Sequence, residues 1–460
     1  MNQHNLKHPH KELRSLLGIR FNTDNTIREA HSQDASYHRG TLPDAVVFPK
    51  TNAEVSEIVK ICVKYNIPII PYGTGTGVEG AVVATERTLC ISLNRMNRIL
   101  SVNEDDRDAT VQAGVTRGQL NTHLAELGSK LHFPVDPGAD ASLGGMVATR
   151  ASGTSAVYYG TMQDNVLALT VITADGTLIR TGSRARKSAA GYDLTRLFIG
   201  SEGTLGIITE ITLKLARLPE AITSAVCAFP TVDAAVNTVI ELIGMGVNIA
   251  RIELLDEQQM DAINKYSGLA YEVAPTLFFE FHGTVNNVAE SSKVAGTIAA
   301  AHGCGDFQYA TEETERKRLW QARYDSYYAA LNRRPGSVGY VTDVCVPISR
   351  LAACISKTKE LLNNSNLIAS ILGHVGDGNF HVVFPLEPHN KDELAEAQQI
   401  SNQIVDIALK MDGTCTGEHG IGIGKRASLE KEHGEAVNLM RAIKQALDPQ
   451  NLMNPGKIFL

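Results

Sequence analysis

Apolar positions along the chain switch between two periods. From Asn52 to Tyr65 they fall at Val55, Ile58, Val59, Cys62 and Val63, which predicts a helix. The run Ile67 to Tyr72 then predicts a strand. Thr116 to Leu127 repeats the helical spacing through Leu120, Leu124 and Leu127. Val166 to Thr173 and Thr177 to Thr181 predict two strands joined at Asp175-Gly176, a preferred hairpin dipeptide. Ile207, Thr209, Ile211, Leu213 and Leu215 alternate with polar residues, which predicts a strand with one buried face. The first part of the chain, up to Pro219, is therefore rich in strands and glycine.

The pattern then changes. Ala235, Val236, Val239, Ile240 and Ile243 predict a helix, Arg251 to Leu255 and Thr276 to Phe281 predict strands, and Leu394, Ala397, Ile404, Val405 and Ala408 line one face of a long helix. This half is expected to be an antiparallel sheet with helices on one side. The fold class is α+β, in two domains.

Composition narrows the function classes. A net charge of −7 argues against nucleic-acid or anionic-membrane binding. Seven scattered cysteines, with no Cys-x-x-Cys pair, argue against a disulfide framework and suit a reducing cytoplasm. No apolar core follows the N-terminus within 30 residues, so no secretory leader is expected. No window approaches ~18 consecutive apolar residues, so no membrane span is expected.

The 39 glycines cluster in loops. Tyr72-Gly73-Thr74-Gly75-Thr76-Gly77-Val-Glu-Gly80 formally contains Gly-x-Gly-x-x-Gly. That dinucleotide fingerprint needs a helix directly after it and an acid about 20 residues on. Here the following residues look extended, and no acid lies between Arg87 and Arg98. A nest of backbone N–H groups for a diphosphate survives that test; the bland alternative is a tight turn between strands. Pro137-Gly138-Ala-Asp-Ala-Ser142-Leu-Gly144-Gly145, Ser152-Gly153, Tyr159-Gly160 and Gly200-Ser-Glu202-Gly203-Thr-Leu-Gly206-Ile-Ile208 are the further clusters. Each could bring backbone close to a flat or charged ligand.

In order and wording these clusters resemble the flavin domain of the vanillyl-alcohol oxidase / p-cresol methylhydroxylase superfamily. The run from Lys187 to Gly206, Lys-Ser-Ala-Ala-Gly-Tyr-Asp-Leu-Thr-Arg-Leu-Phe-Ile-Gly-Ser-Glu-Gly-Thr-Leu-Gly, resembles its D-lactate dehydrogenase and glycolate oxidase branch. The opening of that run is most similar to the cytochrome-type D-lactate dehydrogenases. The resemblance implies a two-domain flavoprotein: an α+β FAD-binding domain (1–219, core 42–218) and a substrate or cap domain with an antiparallel sheet and helices (220–415). The segment 416–460 would return to the FAD domain. It implies that Tyr72 to Gly77 cradle the FAD diphosphate. It implies that Pro137, Gly138, Ser142, Gly144, Gly145, Ser152 and Gly153 line the flavin, with Tyr159 and Gly160 also binding the cofactor. Gly206 and Ile208 would hold the adenosine part, Glu202 would bind the cofactor, and Asn454 would meet the flavin ring. No counterpart of an attaching His or Cys is present, so FAD is expected to be non-covalent.

His374-Val-Gly-Asp-Gly-Asn-Phe-His381 carries the sharpest chemistry. With Asp377-Gly378 as a two-residue hairpin loop, His374 would face His381 and the imidazoles could share one cation. Gly417-Glu418-His419-Gly420 offers a carboxylate and a further imidazole. Two histidines and a carboxylate make an open site suited to zinc or manganese. The resemblance places His374, His381 and Glu418 as ligands, which leaves His419 as the base. For substrate, the resemblance to a Trp-x-x-Arg motif selects Arg323, three residues after the lone Trp320, as the carboxylate anchor. Arg316, Lys317 and Arg318 fit a solvated helix face instead. Pro335 to Pro347 contains no Lys or Arg for a second carboxylate, which favours a monocarboxylate such as D-lactate over 2-hydroxyglutarate.

The expectation is thus an FAD-dependent, metal-assisted dehydrogenase that oxidises D-lactate to pyruvate. Its electrons would pass to an external acceptor: quinone, cytochrome or electron-transfer flavoprotein. Glycolate and D-2-hydroxyglutarate are the alternative substrates. A colourless metallohydrolase and a flavin-binding accessory subunit are the rival classes. A cytoplasmic enzyme, peripheral attachment at the inner membrane and a homodimer are all compatible with the composition.

Overall fold

Three of the predicted elements, the helix Asn52–Tyr65, the helix Val232–Gly244 and the strand Arg251–Leu255, frame the architecture. It comes from a computed structural model that describes residues 7–460; the first six residues of the stretch read for a leader lie outside them. The chain forms two compact units. The first takes Met1–Ser152, Thr161–Leu218 and Glu418–Leu460; the second takes Gly153–Gly160 and Pro219–Gly417. Among the described residues, no helix is long and apolar enough to cross a membrane.

The first unit holds two main sheets. Ala45–Val47, Leu89–Ser92 and Ile69–Tyr72 pair in parallel, with Phe21–Asn22 antiparallel at one edge. The helix Asn52–Tyr65 supplies the crossover such parallel strands need, and it buries Val55, Ile58, Val59 and Cys62. The second sheet is antiparallel, in the order Ile99–Asn103, Asp108–Gln112, Ile207–Lys214, Val166–Ile172, Leu178–Arg180. The Asp175-Gly176 hairpin lies where predicted. Ile207–Lys214 is central in the sheet: the predicted face of Ile207, Thr209, Ile211 and Leu213 is buried, and on the opposite face Ile208 and Thr212 are buried too, with Glu210 and Lys214 half-buried. Its polar side chains find partners inside, Thr209 Oγ1 to Thr170 O at 3.3 Å and Thr212 to the Thr110 hydroxyl at 3.1 Å. That satisfaction is what lets threonines alternate in a core strand. Val82 and Val83, expected to be extended, lie in a turn region outside any strand.

The second unit is one antiparallel sheet. Its order is Gln308–Ala310, Ala221–Ala228, Thr276–Gly283, Arg251–Leu255, Ser370–Gly373, Asn379–Leu386, Val338–Val341. Helices were expected on one side only. Instead Phe278 and Phe279, which point to opposite faces, are both fully buried, so the sheet is covered on both sides. The run Thr-Leu-Phe-Phe-Glu-Phe already lacks the alternation of a half-solvated strand.

Asp256 ends the Arg251–Leu255 strand and caps the helix Glu257–Ser267, its Oδ1 accepting from Gln259 N at 2.8 Å. Burial pushes its carboxyl up to about 7. Between the ordinary carboxylate range and about pH 7 the folded protein therefore keeps a proton that the unfolded chain releases. This contribution to stability is greatest below that window and falls as pH rises through it. Asp256→Asn keeps a capping oxygen and removes the titration. Thermal melts at pH 5 and pH 8 should show a smaller loss of Tm for the variant than for the parent. Equal losses would refute it.

Candidate active site

In the second unit the site is built on one face of the sheet. Arg251 and Glu253 are two apart on one strand and share that face. Arg251 pairs across to Glu280, and Glu280 across to Ser224. Glu253 is fully buried in the middle of its strand, between the apolar Ile252 and Leu254. Its Oε2 accepts from Arg323 Nε at 2.8 Å and lies 2.6 Å from Arg323 Nη2. Its Oε1 lies 2.7 Å from His374 Nδ1. One carboxylate thus holds the proposed substrate anchor and one of the proposed metal ligands.

Arg323 sits on the helix Glu313–Tyr324 and is buried with Leu319, Trp320 and Ala322. Lys317 and Arg318 on the same helix are exposed and Arg316 half-buried, as the solvated-face reading requires. Trp320 donates to Ser224 Oγ at 3.0 Å, and its ring lies 4.9 Å from the Arg251 guanidinium carbon.

The histidine hairpin differs from its prediction by two residues. Leu372, not His374, faces His381, and His374 accepts from Asn379 N through its carbonyl at 3.3 Å. The loop is therefore four residues, 375–378. A two-residue type I′ loop needs positive φ at both central residues; Gly378 has φ +80°, but Asp377 is not among the residues with positive φ. A shift of two preserves the face, so the rings still meet diagonally, with centroids 5.4 Å apart and planes at 80°. His381 Nδ1 lies 3.1 Å from Thr342 O. A carbonyl and a carboxylate can only accept, so each ring carries its proton on Nδ1 and its lone pair on Nε2, the orientation a metal ligand needs. The histidines belong to a His/Asp/Glu group of metal-binding composition.

Asp343 was not singled out from the sequence. It is buried, its Oδ1 accepts from Asn379 Nδ2 at 2.7 Å, and its Oδ2 accepts from Thr416 Oγ1 at 2.7 Å and Gly417 N at 2.8 Å. Asp343 so ties the histidine hairpin to Gly417, and the next residue in the chain is Glu418.

In the first unit, Glu418 to Gly422 form a tightly braced loop. Glu202, expected at the cofactor, has both carboxylate oxygens committed to protein: Oε1 accepts from Ile421 N at 2.7 Å and Oε2 from Gly422 N at 2.8 Å. It is buried, stands at φ +51°, and burial raises its carboxyl to about 7. Its role here is to hold the loop that carries Glu418 and His419. The Glu79 carbonyl adds a bond from Ile423 N at 2.9 Å. Asn454, also left-handed at φ +42°, donates to Ala81 O at 2.9 Å and Glu202 O at 2.6 Å.

The residues of the first unit fit a nucleotide cofactor. Gly75 has φ +69°, and a Cβ there would collide with the Tyr72 hydroxyl, as one on Gly73 would with Ser142 Oγ. Among the described residues, no backbone N–H from Thr74 to Gly77 donates to a protein acceptor, which leaves a donor-rich nest. Asn454 Oδ1 is buried without a protein partner among the described residues. Tyr72 itself braces the loop, donating to Gln33 O at 3.0 Å. Thr74 Oγ1 accepts from Ser142 N at 3.4 Å and so joins the first glycine cluster to the second. Ser142 caps the short helix Leu143–Thr149 through Gly145 N, and Gly144 packs so closely that a Cβ would lie 2.7 Å from that of Ala113. Pro137 and Gly138 lie in the loop before it, with Gly138 N donating to Asp136 at 3.1 Å.

Other residues expected at the cofactor are also placed by packing and by protein partners. Ile208 is in the hydrophobic core and pairs with Val171, while a Cβ on Gly206 would press on Ile172 O at 2.9 Å. Ser152 closes the first unit's second-cluster segment, whereas Gly153, Tyr159 and Gly160 belong to the second unit. There the Tyr159 hydroxyl lies 2.7 Å from His282 Nδ1, and His282 Nε2 lies 2.9 Å from Glu280.

Comparison with known proteins agrees with this arrangement. The family described as "FAD binding domain" matches residues 43–182, and "FAD linked oxidases, C-terminal domain" matches residues 218–458. The chain belongs to the FAD-linked oxidase family. It is 52% identical to "Probable D-lactate dehydrogenase, mitochondrial" of Danio rerio, covering 94% of this chain and 87% of the relative. It is 46% identical to "D-lactate dehydrogenase [cytochrome], mitochondrial" of Arabidopsis thaliana, covering 97% and 79%. The fold of this FAD-linked oxidase matches p-cresol methylhydroxylase with substrate bound at a TM-score of 0.81 and 19% identity, covering 100% of this chain and 97% of that one. The two-domain flavoprotein architecture that the resemblance implied is therefore the one present.

Proposed function

We propose that this FAD-linked oxidase is a D-2-hydroxyacid dehydrogenase that oxidises D-lactate to pyruvate. The observation that carries the reading is the buried Arg323–Glu253–His374 assembly. A guanidinium with one edge held by Glu253 keeps its Nη1 end for a substrate carboxylate, beside an imidazole pair oriented for a cation. Similarity to two D-lactate dehydrogenases over most of the chain supports the substrate.

In this reading Arg323 fixes the carboxylate of D-lactate and orients its Cα. His419 takes the hydroxyl proton, on a loop that Glu202 and Glu79 hold rigid. Thr74 to Gly77, the Pro137 to Gly145 segment and Asn454 would hold FAD, which would supply a two-electron acceptor for the Cα hydride. A divalent ion held by His374, His381 and Glu418, zinc or manganese, would supply Lewis acidity toward the hydroxyl oxygen. The strand Val338–Val341 and its neighbours through Pro347 carry no Lys or Arg, which favours D-lactate over 2-hydroxyglutarate. A cytochrome is the acceptor class assigned, from the Arabidopsis relative's name. All seven cysteines are free, and we assign a reducing compartment such as the cytoplasm.

Anaerobic bleaching of the flavin across D-lactate, L-lactate, glycolate and D-2-hydroxyglutarate tests the reading. D-Lactate should bleach fastest. A chelator should slow the reaction, and manganese or zinc should restore it. A colourless protein, or no response to any acid, would overturn the reading.

A further inference from the structure

Glu253 is 70 residues from Arg323 and 121 from His374, yet it bonds both. A fully buried carboxylate is costly unless its charge and lone pairs are matched. Here the matching is divided: Oε2 takes the Nε/Nη2 edge of Arg323, and Oε1 takes His374 Nδ1. If either partner moves away, the buried carboxylate is left with only the other.

The geometry points to Glu253 as a positioning residue that couples the carboxylate anchor to the metal ligand. This rests on the D-2-hydroxyacid dehydrogenase reading. Two consequences follow from the chemistry of the two oxygens. By accepting from Nδ1, Glu253 keeps the His374 lone pair on Nε2. By occupying the side edge of Arg323, it turns the terminal edge toward a ligand carboxylate. A hydrophobic residue at this position would satisfy the strand's burial but would do neither.

The decisive variant is Glu253→Gln. Its single carbonyl oxygen can serve Arg323 or His374, and its NH2 then opposes a donor at the other. Either Arg323 is displaced, or His374 must shift its proton to Nε2 and lose its place as a ligand. Mn²⁺ binding to the chelator-stripped, flavin-loaded protein is measured by calorimetry, alongside kcat and KM for D-lactate. The expected result is a Mn²⁺ Kd raised about 10–100-fold, together with a raised KM and an unchanged flavin content. Glu253→Asp keeps the charge but is one methylene shorter and cannot reach both partners. It should restore Mn²⁺ affinity or KM in part, but not both fully.

If Glu253→Gln yields no folded holoprotein, Glu253→Asp decides. Parental values for both Mn²⁺ Kd and KM in that variant would overturn the coupling. So would a folded Glu253→Gln protein within twofold of the parent in both. A parent that neither binds Mn²⁺ nor is bleached by D-lactate would instead overturn the functional reading, and the coupling with it.

Discussion

Arg323→Met is expected to raise the KM for D-lactate more than 100-fold and to destabilise the protein by about 3–5 kcal/mol, the range for removing one partner of a buried ion pair. The two losses have different origins. The binding loss follows from removing the guanidinium that receives the substrate carboxylate. The stability loss follows from Glu253, which is fully buried and would keep only His374 as a partner. They can be separated. Arg323→Met/Glu253→Gln removes the uncompensated charge and should regain most of the Tm. It should regain none of the D-lactate affinity. Arg323→Lys keeps the charge but cannot hold Glu253 through a two-nitrogen edge and still present another. An intermediate KM is expected there. Thermal melts and anaerobic bleaching across a D-lactate series measure both quantities. An Arg323→Met enzyme with the parental KM would show that the carboxylate binds elsewhere.

How much of this was legible beforehand depended on range. The glycine clusters were legible because each is local: consecutive glycines announce backbone that must bend or be approached closely, as Gly75 at φ +69° does. The histidine pair was legible because a hairpin brings close residues together. Its register was not, since the loop length turned on the sign of φ at Asp377, a choice the Asp-Gly dipeptide leaves open. Glu253 was missed, although a lone acid between Ile252 and Leu254 was a visible signal. What made it meaningful, an arginine and a histidine far along the chain, is set by tertiary packing alone. Asp343 was missed for the same reason, its partners Asn379 and Gly417 being 36 and 74 residues away. Glu202 was seen, but its bracing part was not. Its glycine-rich neighbourhood suggests a ligand contact, while its carboxylate in fact closes on the backbone of residues more than 200 positions on. Packing of Ile208 in the core was likewise hidden behind its place in a ligand-like motif.

His419→Asn should lower kcat for D-lactate by about 10²–10⁴-fold, the usual contribution of a positioned general base. Its loop will survive the change. Bonds from the backbone N–H of Ile421 and Gly422 to Glu202, and from Ile423 N to the Glu79 carbonyl, hold it, and these three do not depend on the imidazole. Flavin content, Tm and Mn²⁺ affinity should therefore stay near parental values while the rate falls. The pH dependence adds a second readout. A base must be deprotonated to act, so the parental rate should rise with pH along one limb. In His419→Asn that limb should flatten, because asparagine takes up no proton there. A role in folding alone would move Tm and leave the pH profile in shape. Stopped-flow flavin reduction across a pH series separates the two outcomes. Bleaching at the parental rate across that range would remove His419 from the chemistry and leave proton removal to another group.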